Sequence, residues 1–461
     1  MFDKQIYANR RQILKQQIQS GLLLFPGNAE SPMNYNANTY HFRQDSSFLY
    51  YFGLDTPGLY ALIDTDTGEE IIFGNDFTID DIVWMGPQST LSEKAAMVGV
   101  SQASDLEAFE KTIVEAIHQN RPVHYLPQYR HDNIIRMEQL TGISTAKVNQ
   151  RASEELIMAV VAQRLIKSDE EIAEIEQALD ISYDMNMLAM KQSRPGMFEY
   201  EIYGQIEGLV LSRGSYVSFP VIFTTRGEVL HGHLHDKEMK DGNLLVLDSG
   251  AESLRHYASD ITRTFPVNGH FTPEQRDIYQ IVLDAKEKAS TMMAPGVSFR
   301  EVHLEAAHVI VDGLKQFGFM KGDTDEAVEA GAHALFFPHG LGHPLGLDVH
   351  DMEGLGETYV GYGKDVQRSH QFGTAFLRFA KLLEAGHVMT VEPGIYFMPE
   401  LIAQWKTKNL HPDFINYEKA EEFIGFGGIR IEDDVLVTAS GYRVLGKPIP
   451  KTVEDVEAAC Q

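Results

Sequence analysis

Two Pro-Gly pairs, Pro195-Gly196 and Pro295-Gly296, stand 100 residues apart, and each separates two helical stretches. Proline cannot continue a helix, and glycine accepts the left-handed backbone that closes one. Upstream of the first pair, Ser168 and Glu171 form a capping box, and Ile172, Ile175, Leu179 and Leu188 follow at helical spacing. A second helix is expected over about 198–212. The pattern then returns. Thr272-Pro273-Glu274-Gln275 opens a helix that ends at Pro295-Gly296, and Ser298 with Glu301 caps another reaching Phe317-Gly318. Strand-like segments follow each pair. The spacing predicts a duplicated helix-helix-sheet unit. The competing reading is two unrelated helix stops, since Pro-Gly commonly ends helices.

The region before Lys167 is patterned differently. Tyr60–Asp64 and Glu70–Phe73 flank the turn-rich TDTGE and read as a β-hairpin. A chain of 461 residues has room for two or three domains. The expected class is α/β (α+β), with a small mixed domain over 1–166 and a larger one over 167–461. Lys plus Arg is 39 and Asp plus Glu is 66, so the formal charge is 39 − 66 = −27. Such a surface repels phosphate backbones and anionic headgroups, which argues against nucleic-acid and membrane partners. Cys460 is the single cysteine, so no disulfide can form within one chain. The first residues, MFDKQIYANRRQILKQQIQSG, carry charge and hold no apolar signal core. A cytoplasmic enzyme is the expectation.

Four acids sit in apolar, strand-like runs. Asp248 ends Leu244–Asp248, and Asp260 lies in Ala258–Phe265, twelve residues on. Two strands so joined pair antiparallel and bring both carboxylates to one point. Glu392 lies in Val388–Gly394, just before Pro393-Gly394, and Glu432 lies in Ile429–Val435. Each acid alone reads equally as a turn or salt-bridged residue. Buried together, they need partners or metal. His339, His343 and His350 crowd one glycine-rich loop, and His231, His233 and His235 form a second cluster. Four carboxylates and an imidazole make a hard, oxygen-rich set that suits Mn²⁺, Mg²⁺ or Co²⁺. Four negative ligands balance two divalent ions. Such a pair lowers the pKa of bound water and polarises a carbonyl.

The runs Leu-Asp248-Ser-Gly-Ala-Glu, Ala-Ser-Asp260-Ile-Thr-Arg-Thr-Phe-Pro-Val-Asn-Gly, His339-Gly-Leu-Gly-His343, Val-Glu392-Pro-Gly-Ile-Tyr and Gly-Ile-Arg-Ile-Glu432-Asp-Asp occur in this order. They resemble the metal-binding motifs of aminopeptidase P and prolidase, the Xaa-Pro peptidases of the pita-bread fold. The likeness covers about Lys167 to Lys447. An early segment, His41-Phe-Arg-Gln-Asp-Ser-Ser-Phe with Tyr51-Phe-Gly-Leu, resembles their amino-terminal domain.

The resemblance implies a curved, mainly antiparallel sheet in a duplicated domain. It implies two divalent ions, manganese first and cobalt, zinc or magnesium as alternatives. Asp248, Asp260, His343, Glu392 and Glu432 would be the ligands, with Asp260 and Glu432 bridging. Glu392 would orient water or act as base. His231 and His350 would serve the reaction, and His339 would stand behind the ligands on the substrate side. The substrate would be a small peptide with proline second, and the assembly a homodimer. Three departures face the substrate: the stretch Phe223–Leu230, Gly232 after His231, and Phe219.

Reading a dipeptide's carboxylate calls for a cation, best an arginine fork. Arg378 lies fourteen residues before Glu392, where prolidases carry such an arginine, and Arg430 lies two before Glu432. The insert Phe397–Phe426 also resembles the longer prolidase branch. These features favour an Xaa-Pro dipeptidase over an aminopeptidase P acting on longer peptides. A metal-free binding protein of the same fold is the remote alternative, and it would lack the five ligands.

Overall fold

The computed structural model describes every residue except Asp365. The chain divides into two compact units, residues 1–164 with 352–359, and residues 165–351 with 360–461. In the first unit a five-stranded mixed sheet forms from β1 (Leu22–Pro26), β2 (Tyr60–Asp64), β3 (Glu70–Phe73), β4 (Gln102–Ser104) and β5 (Val123–Tyr125), in the order β4-β3-β2-β1-β5. The expected hairpin is β2 and β3, paired antiparallel from Tyr60↔Phe73 to Ile63↔Glu70. Leu22, Leu24, Leu62, Phe73 and Tyr125 of the sheet bury against Phe109 and Ile113 of α1 (Leu106–His118) and Met137 of α2 (His131–Thr141).

The second unit carries the duplication. Its first pair is α3 (Asp169–Gln192) and α4 (Glu199–Ser212), and its second is α5 (Pro273–Met292) and α6 (Phe299–Gln316). Ser168 and Thr272 both cap through complete capping boxes. The two Pro-Gly turns are superimposable in their bonding. Gly196 and Gly296 take φ of +91° and +84°. Gly196 N donates to Met239 O and Gly296 N to Leu383 O, both at 2.8 Å. Glu199 N then donates to Lys237 O and Phe299 N to Lys381 O. Equivalent donors finding equivalent acceptors argues for one repeated unit rather than two chance helix stops. One detail differs from expectation: Ser298 makes no side-chain cap, because its hydroxyl donates to Ala380 O instead.

Strands follow each pair, all antiparallel. The first set is β6 (Ile222–Thr224), β7 (Leu244–Ser249) and β8 (Ile261–Pro266), in the order β8-β7-β6. The second is β9 (Val388–Val391), β10 (Gly394–Tyr396), β11 (Gly428–Arg430), β12 (Asp433–Thr438) and β13 (Gly441–Val444), pairing as β9-β12-β13 and β10-β11. The two sets are stitched where Glu432 N donates to Thr262 O at 3.0 Å and Arg430 N to Thr264 Oγ1 at 3.1 Å. Among the described residues no helix is long and apolar enough to cross a membrane.

Candidate active site

Each ligand candidate sits at a strand end or on a loop pinned to a strand. The β7–β8 register sets Thr262 opposite Asp248 and Ser249 opposite Ile261. Asp260 therefore precedes β8 at the point where β7 ends, as the spacing predicted. Asp260 N donates to Asp434 Oδ2 at 3.1 Å, which ties the hairpin to β12. Glu392 directly follows β9, and Glu432 lies between β11 and β12. The histidine loop packs down on β9. Thr390 N donates to His343 O, and His343 N donates to Thr390 Oγ1, both at 3.0 Å. A Cβ on Gly342 would stand 2.0 Å from Thr390 O, so only glycine lets the loop approach this closely.

Asp260, His343 and Glu432 are buried, and each offers a ligand atom within 4.8 Å of the other two. His343 Nε2 lies 3.4 Å from Asp260 Oδ2 and 3.4 Å from Glu392 Oε1. The other ring nitrogen, Nδ1, sits 3.1 Å from Pro344 O, which fixes the proton there and leaves the Nε2 lone pair facing the carboxylates. Burial, then His350, holds the imidazole well below its ordinary pKa and therefore neutral. Burial likewise pushes the Asp260 and Glu432 carboxyls well above their usual range, with the neighbouring acids adding to it. Glu392 is pushed up to about 8, by burial first, with Asp248 opposing the pull of Arg430. Among the described residues Asp248 Oδ1, Asp260 Oδ1 and Glu432 Oε1 are buried and accept no hydrogen bond. Acceptor-only oxygens with no donors, around an unprotonated nitrogen, fit divalent cations and little else.

A polar frame supports these acids, and the sequence did not reveal it. Thr262 Oγ1 donates to Glu432 Oε2 at 2.6 Å, and Thr390 Oγ1 to Glu392 Oε1 at 3.1 Å. Arg430 Nη2 donates to Asp248 Oδ2 at 2.6 Å, Nη1 to the Tyr396 hydroxyl at 2.8 Å and Nε to Thr262 Oγ1 at 3.1 Å. Tyr396 in turn meets His339 Nε2 at 2.9 Å, while His339 Nδ1 faces Gly340 O at 2.8 Å. Arg430 was expected to touch substrate. Its guanidinium is almost wholly buried and anchors Asp248, and the residue also lines the cavity beside the acids.

The acids open into a cavity of about 1020 Å³. His231, His350, His339 and Arg378 all line it, so every residue assigned to substrate or proton transfer reaches the same space. His350 packs edge-on to His343 with ring centroids 4.3 Å apart. Partial burial, then Arg430, lowers the pKa of His231. His233, which the sequence left without a role, lines the cavity too, whereas His235 stacks on Tyr203 at 4.0 Å and donates toward Phe223 O. The insert contributes Met398 and, from α7 (Pro399–Thr407), Glu400, Leu401 and Gln404. It is fastened by a ring cluster, with Phe397 5.2 Å from Phe319, 5.1 Å from Phe423 and 5.3 Å from Phe426.

A duplicated α/β unit that gathers four acids, Asp260 and Glu432 among them buried, and a neutral imidazole at the floor of one cavity has the make-up of a metallohydrolase. Residues 173–439 match the model of metallopeptidase family M24, and residues 7–125 match that of the aminopeptidase P N-terminal domain. The Xaa-Pro dipeptidase of Homo sapiens is 34% identical, over 96% of this chain and 89% of its own. The Xaa-Pro aminopeptidase of Escherichia coli is 33% identical, over 99% and 97%. The solved structure of aminopeptidase PepP from Pseudomonas aeruginosa superposes with a TM-score of 0.81 at 30% identity, covering 100% of this chain and 98% of that one. The chain therefore belongs to metallopeptidase family M24, among the Xaa-Pro peptidases of the pita-bread fold. It is a divalent-metal-dependent hydrolase that acts on peptides.

Proposed function

We propose that this enzyme hydrolyses the bond between an N-terminal residue and proline, with Xaa-Pro dipeptides as the preferred substrates. Asp248, Asp260, His343, Glu392 and Glu432 would hold two divalent ions. Manganese is the native metal, in keeping with four oxygen donors and one nitrogen. Bound ions of this kind polarise a carbonyl and make water a nucleophile near neutral pH. Glu392, steadied by Thr390, orients that water and takes its proton on a carboxylate oxygen. His231 donates to the charge developing on the scissile oxygen, and His350 serves the proline side. His339 is kept neutral by burial, down to about 3, and receives a hydrogen bond from Tyr396. Residues 167–461 make the catalytic domain, and residues 1–166 the accessory one. The enzyme works as a homodimer in the cytoplasm.

Arg378 carries the dipeptidase reading. It lines the cavity, and after burial and Arg430 it adds to the lowering of the His231 pKa, so its cation is the candidate partner for a dipeptide's carboxylate. Arg378→Met is expected to lower kcat/KM on Ala-Pro by about 10- to 100-fold, the worth of a hydrogen bond to a charged group, and to spare Ala-Pro-amide. Equal losses on both would make Arg378 structural. The second reading, aminopeptidase P action on longer peptides, is favoured by the volume of the cavity, which sits at the top of the roughly 300–1,000 Å³ range of small-ligand sites. Faster turnover of Ala-Pro-Ala than of Ala-Pro would establish it.

A further inference from the structure

One corner of the cavity is acidic and takes no part in the chemistry above. Glu228 lines it with a side chain only 7% exposed. One carboxylate oxygen, Oε1, pairs with Arg226 Nε. The other, Oε2, is buried and has no hydrogen-bond partner among the described residues. Leaving such an atom unmatched is costly, so a site that keeps one has a donor in mind. The loop that carries it is rigid. Arg226 N donates to Thr224 Oγ1 at 3.0 Å, and Val229 N closes a turn onto Arg226 O at 2.9 Å. A Cβ on Gly227 would stand 2.6 Å from Gly428 O and 2.7 Å from Val246 Cγ2, which wedges the turn against β11 and β7. Glu400 of α7 lines the same cavity and adds to the negative field on Arg226, after Glu228 itself. The two carboxylates outnumber the single guanidinium, and that guanidinium is 55% exposed and largely hydrated. Val229, Leu230 and Leu401 supply apolar wall in the same cavity. Apolar wall ending in an unmatched acid suits a methylene stem that ends in a cation.

We propose that Glu228, backed by Glu400, forms a subsite for a basic side chain, lysine or arginine, on a residue flanking the substrate's proline. This rests on the Xaa-Pro peptidase reading and adds a substrate class to it. The test compares kcat/KM for Lys-Pro against norleucine-Pro, and Ala-Pro-Lys against Ala-Pro-norleucine, using the metal-loaded full-length enzyme. Norleucine keeps the stem and drops the charge. The wild type is expected to favour lysine by about tenfold or more at one of the two positions, as one charge-assisted hydrogen bond gives. Glu228→Gln is expected to bring that ratio to about one. Arg226→Gln removes the competing cation and is expected to raise it. Each ratio is read within one protein, so a general loss of turnover cancels. A wild-type ratio near one at both positions overturns the subsite; so does a ratio that survives Glu228→Gln or is unmoved by Arg226→Gln. If Glu228 instead holds the N-terminal ammonium common to all four peptides, the wild-type ratios are near one and all four rates fall together in Glu228→Gln. No turnover of any of the four by the wild type removes the Xaa-Pro reading, and the subsite with it.

Discussion

Glu432 shows how much of the chemistry falls to single side chains. It is buried, one oxygen is held by Thr262 and the other faces the site with no donor. Glu432→Gln would put a neutral amide in place of a carboxylate of the proposed ligand set. The expected result is loss of bound metal, read by elemental analysis, together with loss of turnover. Full metal content with near-normal activity would remove Glu432 from the ligand set. Histidines 231 and 350 are expected to behave oppositely. Replacing either with alanine should slow Ala-Pro hydrolysis by about 10²–10⁴-fold, the usual worth of acid–base catalysis, with metal content unchanged. Metal lost in step with activity would make that histidine a ligand. The ligand candidates were legible because acids are conspicuous inside apolar strand runs. Thr262, Thr390 and Tyr396 were not, because a hydroxyl in a strand is ordinary and its partner lies far along the chain. Arg430 was legible as a cation near the site, but parity could not say that Asp248 and Tyr396 would claim it.

Elements place these residues, and the second helix pair with β12 does so most directly. Asp433, between Glu432 and Asp434, points away from the cavity into a buried cluster of Arg263, Lys286 and Lys451. Burial would raise its carboxyl, yet the three cations hold it far below the usual range. Arg263 also donates from Nη1 to Glu432 O at 2.5 Å and from Nε to Pro450 O at 3.0 Å. Arg263→Met is expected to cost about 3 kcal/mol in denaturant unfolding, as loss of one partner from a buried ion cluster does. An unchanged midpoint would mean the cluster merely fills space. Helix α6 carries a different charge effect. Burial, then His333, His339 and Arg300, lowers the pKa of His303 on this helix to about 3, and burial, then His308 and His411, lowers that of His333, in the turn Ala332–Leu335, to about 4. Their folded values lie below the unfolded one, so their contribution to stability is full above about pH 6.5 and is lost as pH falls toward 4. His303→Leu is expected to flatten unfolding free energy against pH between about 4 and 6.5. The same slope in both proteins would contradict it. At this scale the sequence was most readable. Capping boxes at Ser168 and Thr272 and the Pro-Gly stops are local signals, and they marked the start and end of both α3 and α5 closely. Ser298 failed as a cap because its hydroxyl found Ala380, a partner that no local pattern reveals.

At the scale of the whole molecule, the duplication explains why five residues scattered from 248 to 432 meet. Each repeat delivers strand ends to one seam. The first repeat brings Asp248 and Asp260, and the second brings His343, Glu392 and Glu432. The hundred-residue echo was visible in sequence through its turns, whereas the side-by-side seam at Thr262–Glu432 was not, since a backbone bond across 170 residues leaves no trace in spacing. The same limit kept the acidic corner at Glu228 out of sight. The seam is a metal site of an Xaa-Pro peptidase. Its direct test is hydrolysis of Ala-Pro and Ala-Ala by the enzyme stripped of metal with a chelator and then reloaded with Mn²⁺. The expected result is no turnover when stripped, recovery on Mn²⁺ addition, and cleavage of Ala-Pro far ahead of Ala-Ala. Undiminished Ala-Pro hydrolysis by the stripped protein, or equal rates on both dipeptides after reloading, would contradict it.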